Sequence, residues 1–408
     1  MIPFSPPRID QKIIDEVVKA LQSGWITTGP RTKRFEQEIS TYCGSQKTLC
    51  LNSATAGLEL MLRWFGVGEG DEVILPAYTY SATANVVMHC GAKPVLADVR
   101  ADDFNIDIAA VRNLISPSTK VIMPVDIAGF PCDYDALNRL IREEQVRKIF
   151  KPANTIQEQF GRILLLSDAA HSLGATYKGR RTGTLADATV FSFHAVKNLT
   201  TAEGGAVTLM LPEAFDDEAV YKELNIKALH GQNKDALAKT QKGNWEYDII
   251  EPGYKWNMPD ILAAIGLIEL ERYDSDTLPV RKAIVEQYLA DFATYAWAQL
   301  PVAHTDQAES CYHLFMLRIR DVSEQQRNQI IQKIFDYDVS VNVHFKPLPL
   351  LSYYNSMGYR MEDYPVAYDN YSREISLPVY YGLEPNQVKL VSGAVIQAVE
   401  EVLNQHHV

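Results

Sequence analysis

ATVFSFHAVKNLTTAEGGAVTLM, residues 188–210, decides how this chain folds. Two short runs rich in apolar and β-branched residues, 188–193 and 205–210, read as buried strands. Between them lies a polar loop with a single amine, Lys197, closed by Gly204 and Gly205. Upstream, RILLLSD (162–168) is another buried strand, and it ends in an acid. Further strands are predicted at 47–51, 72–76, 94–99 and 120–125, with helices at 10–23 (N-cap Asp10), 32–43, 55–65, 81–90 and 134–145. Strand–helix alternation of this kind predicts an α/β fold with a large, mostly parallel sheet covered by helices on both faces. Beyond Glu271 the pattern changes. A helix at 279–295, apolar runs at 312–320 and 339–345, and helices at 323–336 and 387–404 read as a smaller α+β unit. The expected division is therefore 1–270, including an N-terminal segment, and 271–408. The stretch REEQVRKIFKPANTIQEQFG (142–161) is long and polar for a link into a buried strand. It reads as a surface excursion or as a flap near a pocket.

The totals narrow the function. A net charge of −12 argues against a nucleic-acid partner, which needs clustered Lys and Arg. One basic pocket for a small anion remains compatible with it. The five cysteines, at 43, 50, 90, 132 and 311, have no ligand-like or disulfide-framework spacing, so no metal is expected. No basic leader, apolar leader run or membrane-length apolar stretch is visible, which suits a cytoplasmic protein with no membrane partner.

Lys197 gains interest from its neighbours. A buried lysine loses its proton more easily and becomes a Schiff-base former. Asp168 ends a strand, where open α/β sheets place ligands, and a carboxylate there needs a cationic partner. A pyridinium nitrogen would serve. In NSATAGLEL (52–60), Ala54 and Thr55 open a helix whose N–H groups suit a phosphate. In AYTYSAT (77–83), Tyr80 can lie against a cofactor ring, and the Ser192 hydroxyl can reach the same phosphate. Each also has a plain structural reading: a surface lysine, a capping acid, N-capping by Ser53 or Thr55, a half-buried aromatic. Together they form an ordered set at the strand ends of one sheet.

The block SDAAHSLGATYKGRRTGTLADATVFSFHAVKNLTTAEGG (167–205) closely resembles the signature of the DegT/StrS-type nucleotide-sugar aminotransferases, which are pyridoxal-phosphate enzymes of fold type I. The likeness runs nearly end to end, through LQSGWITTGPRTKRFEQEIS, LNSATAGLELML, EPGYKWNMPDILAAIGLIEL, CYHLFMLRI and VHFKPLPLLSYY. It implies that Lys197 carries pyridoxal 5'-phosphate and that Asp168 pairs with the pyridine nitrogen. His171 would sit near the ring hydroxyl. Ala54, Thr55 and Ser192 would bind the phosphate, and Tyr80 would cover the ring. It further implies a homodimer with shared active sites, with Lys255 and Asn257 reaching the neighbouring site. Trp25 and Thr27 match a segment bordering the sugar, and His344 and Lys346 are candidates for the sugar or its diphosphate. For Trp25 a packed loop aromatic, and for His344 a simply hydrogen-bonded histidine, remain the alternatives.

The resemblance is strongest to enzymes that aminate C4 of a UDP-linked 4-keto sugar, with L-glutamate as donor. A 3-keto sugar, a dTDP- or GDP-linked one, or a non-catalytic regulatory member of the fold are the rival readings. Relatives that dehydrate their substrate carry histidine in place of the lysine, and this chain keeps Lys197. A nicotinamide enzyme is excluded, since no GxGxxG follows the first strands. Glu203 is expected to support the loop, and HGQNK (230–234) receives no interpretation.

Overall fold

The computed structural model describes residues 1–234 and 246–404. Its centre is a seven-stranded sheet in the order β1-β9-β8-β5-β4-β2-β3. These strands are β1 (Lys47–Leu51), β2 (Glu72–Pro76), β3 (Lys93–Ala97), β4 (Thr119–Ile122), β5 (Leu164–Asp168), β8 (Ala188–Ser192) and β9 (Gly205–Leu209). Two short strands, β6 (Thr176–Tyr177) and β7 (Arg180–Arg181), pair with β11 (Ala308–Glu309) in a separate three-stranded sheet. A second small sheet joins β10 (Ala298–Gln299), β12 (Phe315–Ile319) and β13 (Glu374–Leu377).

Pairings from β3 through β8 are parallel, while β9 runs antiparallel to both β8 and β1. The two runs of the opening stretch are thus adjacent strands joined by the Lys197 loop, as in a hairpin. Because β9 reverses twice over, β1 and β8 point the same way as β5 and β2. All four therefore end on one edge of the sheet.

Helices cover both faces. On one side α3 (Ala54–Trp64) and α4 (Ser81–His89) bury Leu58, Leu60, Val86 and Val87 against the strands. On the other, α2 (Pro30–Cys43) and the helix Asp260–Glu271 pack Phe35, Ile39 and Leu267 on Phe191 and Phe193. Each such fully buried side chain contributes roughly 1.5–3 kcal/mol of transfer free energy. A separate core gathers Ile284, Tyr288, Phe315, Ile330, Leu377 and Val395 around β12 and β13. The first helix, α1 (Gln11–Gln22), is capped by Asp10 as its sequence predicts.

One alternative and one expectation need correction. The 142–161 stretch is the surface excursion of its plain reading, most of its residues being exposed, and not a flap. It forms helices Glu144–Ile149 and Thr155–Phe160, and both Phe150, which follows the first, and Phe160, which ends the second, are buried. The Gln157 side chain is fully buried and donates to the Phe65 carbonyl at 2.9 Å. Phe160 packs edge-on against Phe65. The segment feeds the start of β5 and so lies at the edge of the sheet opposite the strand ends described above. The run 339–345 is also not a strand. Its β-type pairing is limited to isolated bridges among the described residues, Ile2 to Val339 and Asn342 to Ser376. Among the described residues no helix is long and apolar enough to cross a membrane, and no His/Cys/Asp/Glu group could hold a metal ion.

Candidate active site

At the shared edge of β1, β2, β5 and β8 the protein encloses a cavity of about 370 Å³. That lies within the range of small-molecule sites, roughly 300–1,000 Å³. Eight of the residues singled out from sequence line it: Ala54, Thr55, Tyr80, Asp168, His171, Ser192, Lys197 and His344.

One end is built by α3. Its N-cap Ser53 accepts a hydrogen bond from the Ala56 N–H at 3.1 Å. The first-turn N–H groups of Ala54 and Thr55 have no intrahelical acceptor and carry the positive end of the helix dipole. The helix start lies hard against β9 at Gly205. A Cβ there would fall 2.4 Å from the Ala54 nitrogen, so only glycine permits this approach. Ser192, at the end of β8, supplies a hydroxyl to the same wall.

Asp168, at the end of β5, is buried. One carboxylate oxygen accepts from the Thr83 hydroxyl at 2.8 Å, the other from the Ala170 N–H at 3.3 Å. Thr83 is itself 2.9 Å from the Thr79 hydroxyl. Burial pushes the Asp168 carboxyl up, while Thr83, the Ala170 N–H and the Lys197 charge pull it down. Lys197 is half-buried, and its backbone N–H donates to the His194 carbonyl at 2.9 Å. Desolvation lowers its ammonium to about 8, opposed by Asp168 and by Cys311. An amine near 8 is available as a nucleophile at neutral pH to a degree that an ordinary lysine is not.

Three histidines face this pair. The His171 and His313 rings are 4.4 Å apart, and His171 stacks on Phe345 at 5.6 Å. Burial holds both imidazoles well below the ordinary value, with the Lys197 charge adding to it. His313 Nδ1 lies 2.8 Å from Asn198 Oδ1, whose amide nitrogen donates to the Cys311 carbonyl. His171 Nδ1 is buried without a partner among the described residues. A buried polar nitrogen of this kind calls for a ligand atom.

Other expected residues lie outside the cavity of the single chain. Trp25 folds back over Gly29 and donates its indole N–H to the Thr28 carbonyl at 3.1 Å. The Thr27 carbonyl accepts from the Asp260 N–H, and Asn257 donates to the Thr28 hydroxyl at 2.6 Å. Lys255 is exposed beside Asn52, whose side-chain amide donates to its carbonyl at 3.4 Å. Trp25, Thr27, Lys255 and Asn257 thus sit on one surface formed by two loops. Lys346 is exposed. The Glu203 side chain is also exposed and lies at the cavity rim, 3.7 Å from His194, while its carbonyl accepts from the Thr201 hydroxyl. The loop is therefore held by the Glu203 backbone and not by its acid. Sequence reasoning missed Thr83, Asn198, His313 and Phe345. Thr83 lay within the AYTYSAT run, but nothing in sequence distinguishes His313 from a core histidine.

These residues fit pyridoxal phosphate. A helix N-terminus with adjacent hydroxyls suits the phosphate, the buried Asp168 suits a protonated ring nitrogen, and the desolvated Lys197 suits an aldehyde. The unpartnered His171 nitrogen suits a polar ring substituent. Comparison with known proteins agrees. Residues 7–396 match the DegT/DnrJ/EryC1/StrS aminotransferase family. Spr1654 of Streptococcus pneumoniae, assigned as a sugar aminotransferase, superimposes in its PMP form with a TM-score of 0.95 at 48% identity, covering 98% of this chain and 100% of that one. Its PLP form gives 0.93 at 47%, covering 98% and 99%. The Bacillus subtilis spore coat polysaccharide biosynthesis protein SpsC is 36% identical over 98% of this chain and 97% of its own. The UDP-4-amino-4-deoxy-L-arabinose–oxoglutarate aminotransferase of Shewanella sediminis is 33% identical over 98% of each. The chain belongs to the DegT/DnrJ/EryC1/StrS aminotransferase family and is a pyridoxal-phosphate-dependent sugar aminotransferase.

Proposed function

We propose that this enzyme moves an amino group from L-glutamate to C4 of a UDP-linked 4-keto sugar. The observation that carries the amino-transfer part is the desolvated Lys197 amine at a cavity that also holds the buried Asp168. The sugar and donor are supported by the Shewanella sediminis relative, whose name gives a UDP-4-amino sugar and oxoglutarate.

When bound, pyridoxal phosphate supplies the electron sink that makes the carbon bearing the amine acidic. Lys197 Nζ would take the proton at that carbon and return it to the cofactor carbon on the far side of the amine nitrogen, as general base and then general acid. Asp168 holds a proton on the ring nitrogen through its carboxylate. Ala54 and Thr55 N–H groups and the Ser192 hydroxyl fix the phosphate, and Tyr80 covers the ring. His171 takes the ring hydroxyl. Phe345 and Leu314 line the wall and exclude water.

Lys197 is the only Lys or Arg lining the cavity among the described residues. A phosphate dianion there lacks a cation of its own. This supports a homodimer in which Lys255 and Asn257 of a second copy complete the phosphate end. Trp25 and Thr27, on the same surface as those two, would then border the sugar. His344 and Lys346 face the sugar or its diphosphate. A cytoplasmic location suits a nucleotide-sugar substrate. The deciding assay incubates the enzyme with glutamate and a panel of UDP-, dTDP- and GDP-linked 3- and 4-keto sugars, reading amino sugar by mass spectrometry. UDP-4-keto sugars should be aminated fastest. Transfer confined to 3-keto sugars, or to another nucleotide, would displace this reading.

A further inference from the structure

Strand β13 turns two polar side chains inward, Glu374 and Ser376, and both are fully buried. One Glu374 oxygen accepts the His344 backbone N–H at 3.1 Å, and the other meets the Ser376 hydroxyl. The same hydroxyl oxygen lies 2.9 Å from His344 Nδ1. Phe4 stacks on the His344 ring at 5.4 Å, and the Tyr78 hydroxyl holds the His344 carbonyl at 2.6 Å. Since Nδ1 is committed to Ser376, the opposite edge, with Nε2, is the edge left for the cavity that His344 lines. A buried acid, a hydroxyl and an imidazole thus form an unbroken row ending at the cavity wall.

A hydroxyl donates only one hydrogen. If Ser376 gives it to an ionised Glu374, its oxygen accepts from His344 Nδ1–H, and Nε2 is a bare acceptor. If Glu374 carries a proton, the row reverses. Glu374 donates to Ser376, Ser376 donates to Nδ1, and Nε2 carries the hydrogen. Each link passes one hydrogen and keeps one, so the ring is neutral in both forms.

We propose that Glu374 and Ser376 are positioning residues that set whether His344 accepts or donates a hydrogen bond toward the substrate. The acceptor form selects a sugar hydroxyl, and the donor form suits a keto or phosphate oxygen. This rests on the reading that the part of the cavity at His344 takes the nucleotide sugar. The charge state of Glu374 is open to titration. Burial pushes its carboxyl up to about 8, against Ser376, the His344 N–H, Arg327 and Arg318, which pull it down. Tyr78 also faces the carboxyl, and Lys197, His171 and His313 face the ring. His344 itself is lowered by burial to about 4, so near neutral pH it changes which nitrogen is protonated and not its charge.

Substitution predicts a lock. In Glu374→Gln the amide oxygen must accept the His344 N–H, which forces the NH2 onto Ser376 and fixes the donor form. In Ser376→Ala the row is cut. The test is nitrogen NMR of the holoenzyme with labelled histidine, the His344 signal being assigned by its loss in His344→Gln. Wild type should change tautomer between about pH 6 and about pH 10, on either side of the Glu374 titration. Glu374→Gln should stay Nε2-protonated throughout, and Ser376→Ala should lose the switch. For the nucleotide sugar, Glu374→Gln should flatten the pH profile of kcat/KM, with KM moving about three- to tenfold and kcat less. One unchanging tautomer in wild type, or a switch surviving in Glu374→Gln or Ser376→Ala, would overturn the proposal. The spectra need no sugar. A switch without transfer to UDP-4-keto sugars would sink only the substrate reading, and transfer without a switch only this inference.

Discussion

Replacing Gly205 by alanine probes how the phosphate end is assembled. The new Cβ would meet the Ala54 nitrogen at 2.4 Å, the Ser53 carbonyl carbon at 2.5 Å and its oxygen at 2.7 Å. All three are backbone atoms, so no side chain can rotate aside. Ordinary contact begins at 3.4 Å, and the start of α3 must retreat from β9 by about the 1 Å difference. Overpacking of this sort costs about 1–3 kcal/mol in stability. The same shift carries an N–H···O bond of about 2.9 Å out of range. Losing one charge-assisted bond, about 1.5–3 kcal/mol, weakens cofactor binding about 10- to 100-fold. The assay is a titration of apoenzyme with pyridoxal phosphate, followed by absorbance, beside a thermal melt. Gly393→Ala is the control. It lies in the helix Pro385–Asn404 with nothing within 4 Å of its added carbon. That change should stabilise by up to about 1 kcal/mol through helix propensity and leave cofactor affinity alone. A Gly205→Ala protein with wild-type affinity and melting temperature would refute the close-approach argument.

Three other outcomes are expected. Lys197→Ala should lose covalent retention of the cofactor, and cofactor surviving denaturing filtration would remove Lys197 from its role. In wild-type apoenzyme the reactive amine is the unprotonated one, so the rate of cofactor capture should rise with pH and level off above about 8, whereas a rate still climbing at pH 10 would contradict the lowered value. Arg162 and Asp187 form a buried two-pronged ion pair, both contacts at 2.7 Å, so Arg162→Ala should cost about 3–5 kcal/mol in urea unfolding, and a loss near zero would show the pair to be dispensable.

The sheet was legible because its strands are short apolar runs whose ends coincide with polar or glycine residues. Each of the seven central strands lies within a residue or a few of its expected span. Antiparallel β9 was not legible, since a buried strand has the same composition in either direction. The 142–161 stretch was legible as surface but not as helices, since only Val146, Phe150, Gln157 and Phe160 turn inward. The site was readable where a residue closes a strand or opens a helix, as with Asp168, Ser192 and Thr55. Thr83, His313 and Glu374 were hidden because their roles depend on segments distant in sequence meeting in space. The Glu374–His344 contact spans 30 positions and the Thr83–Asp168 contact 85.

The loop bearing Lys197 is tethered at both ends to strands that are themselves interior to the sheet, with β5 beyond one and β1 beyond the other. Neither anchor can fray from an edge. The two strands that anchor the loop therefore separate only when the sheet itself opens, so amide protons of β8 and β9 should exchange with solvent only as slowly as the molecule unfolds globally.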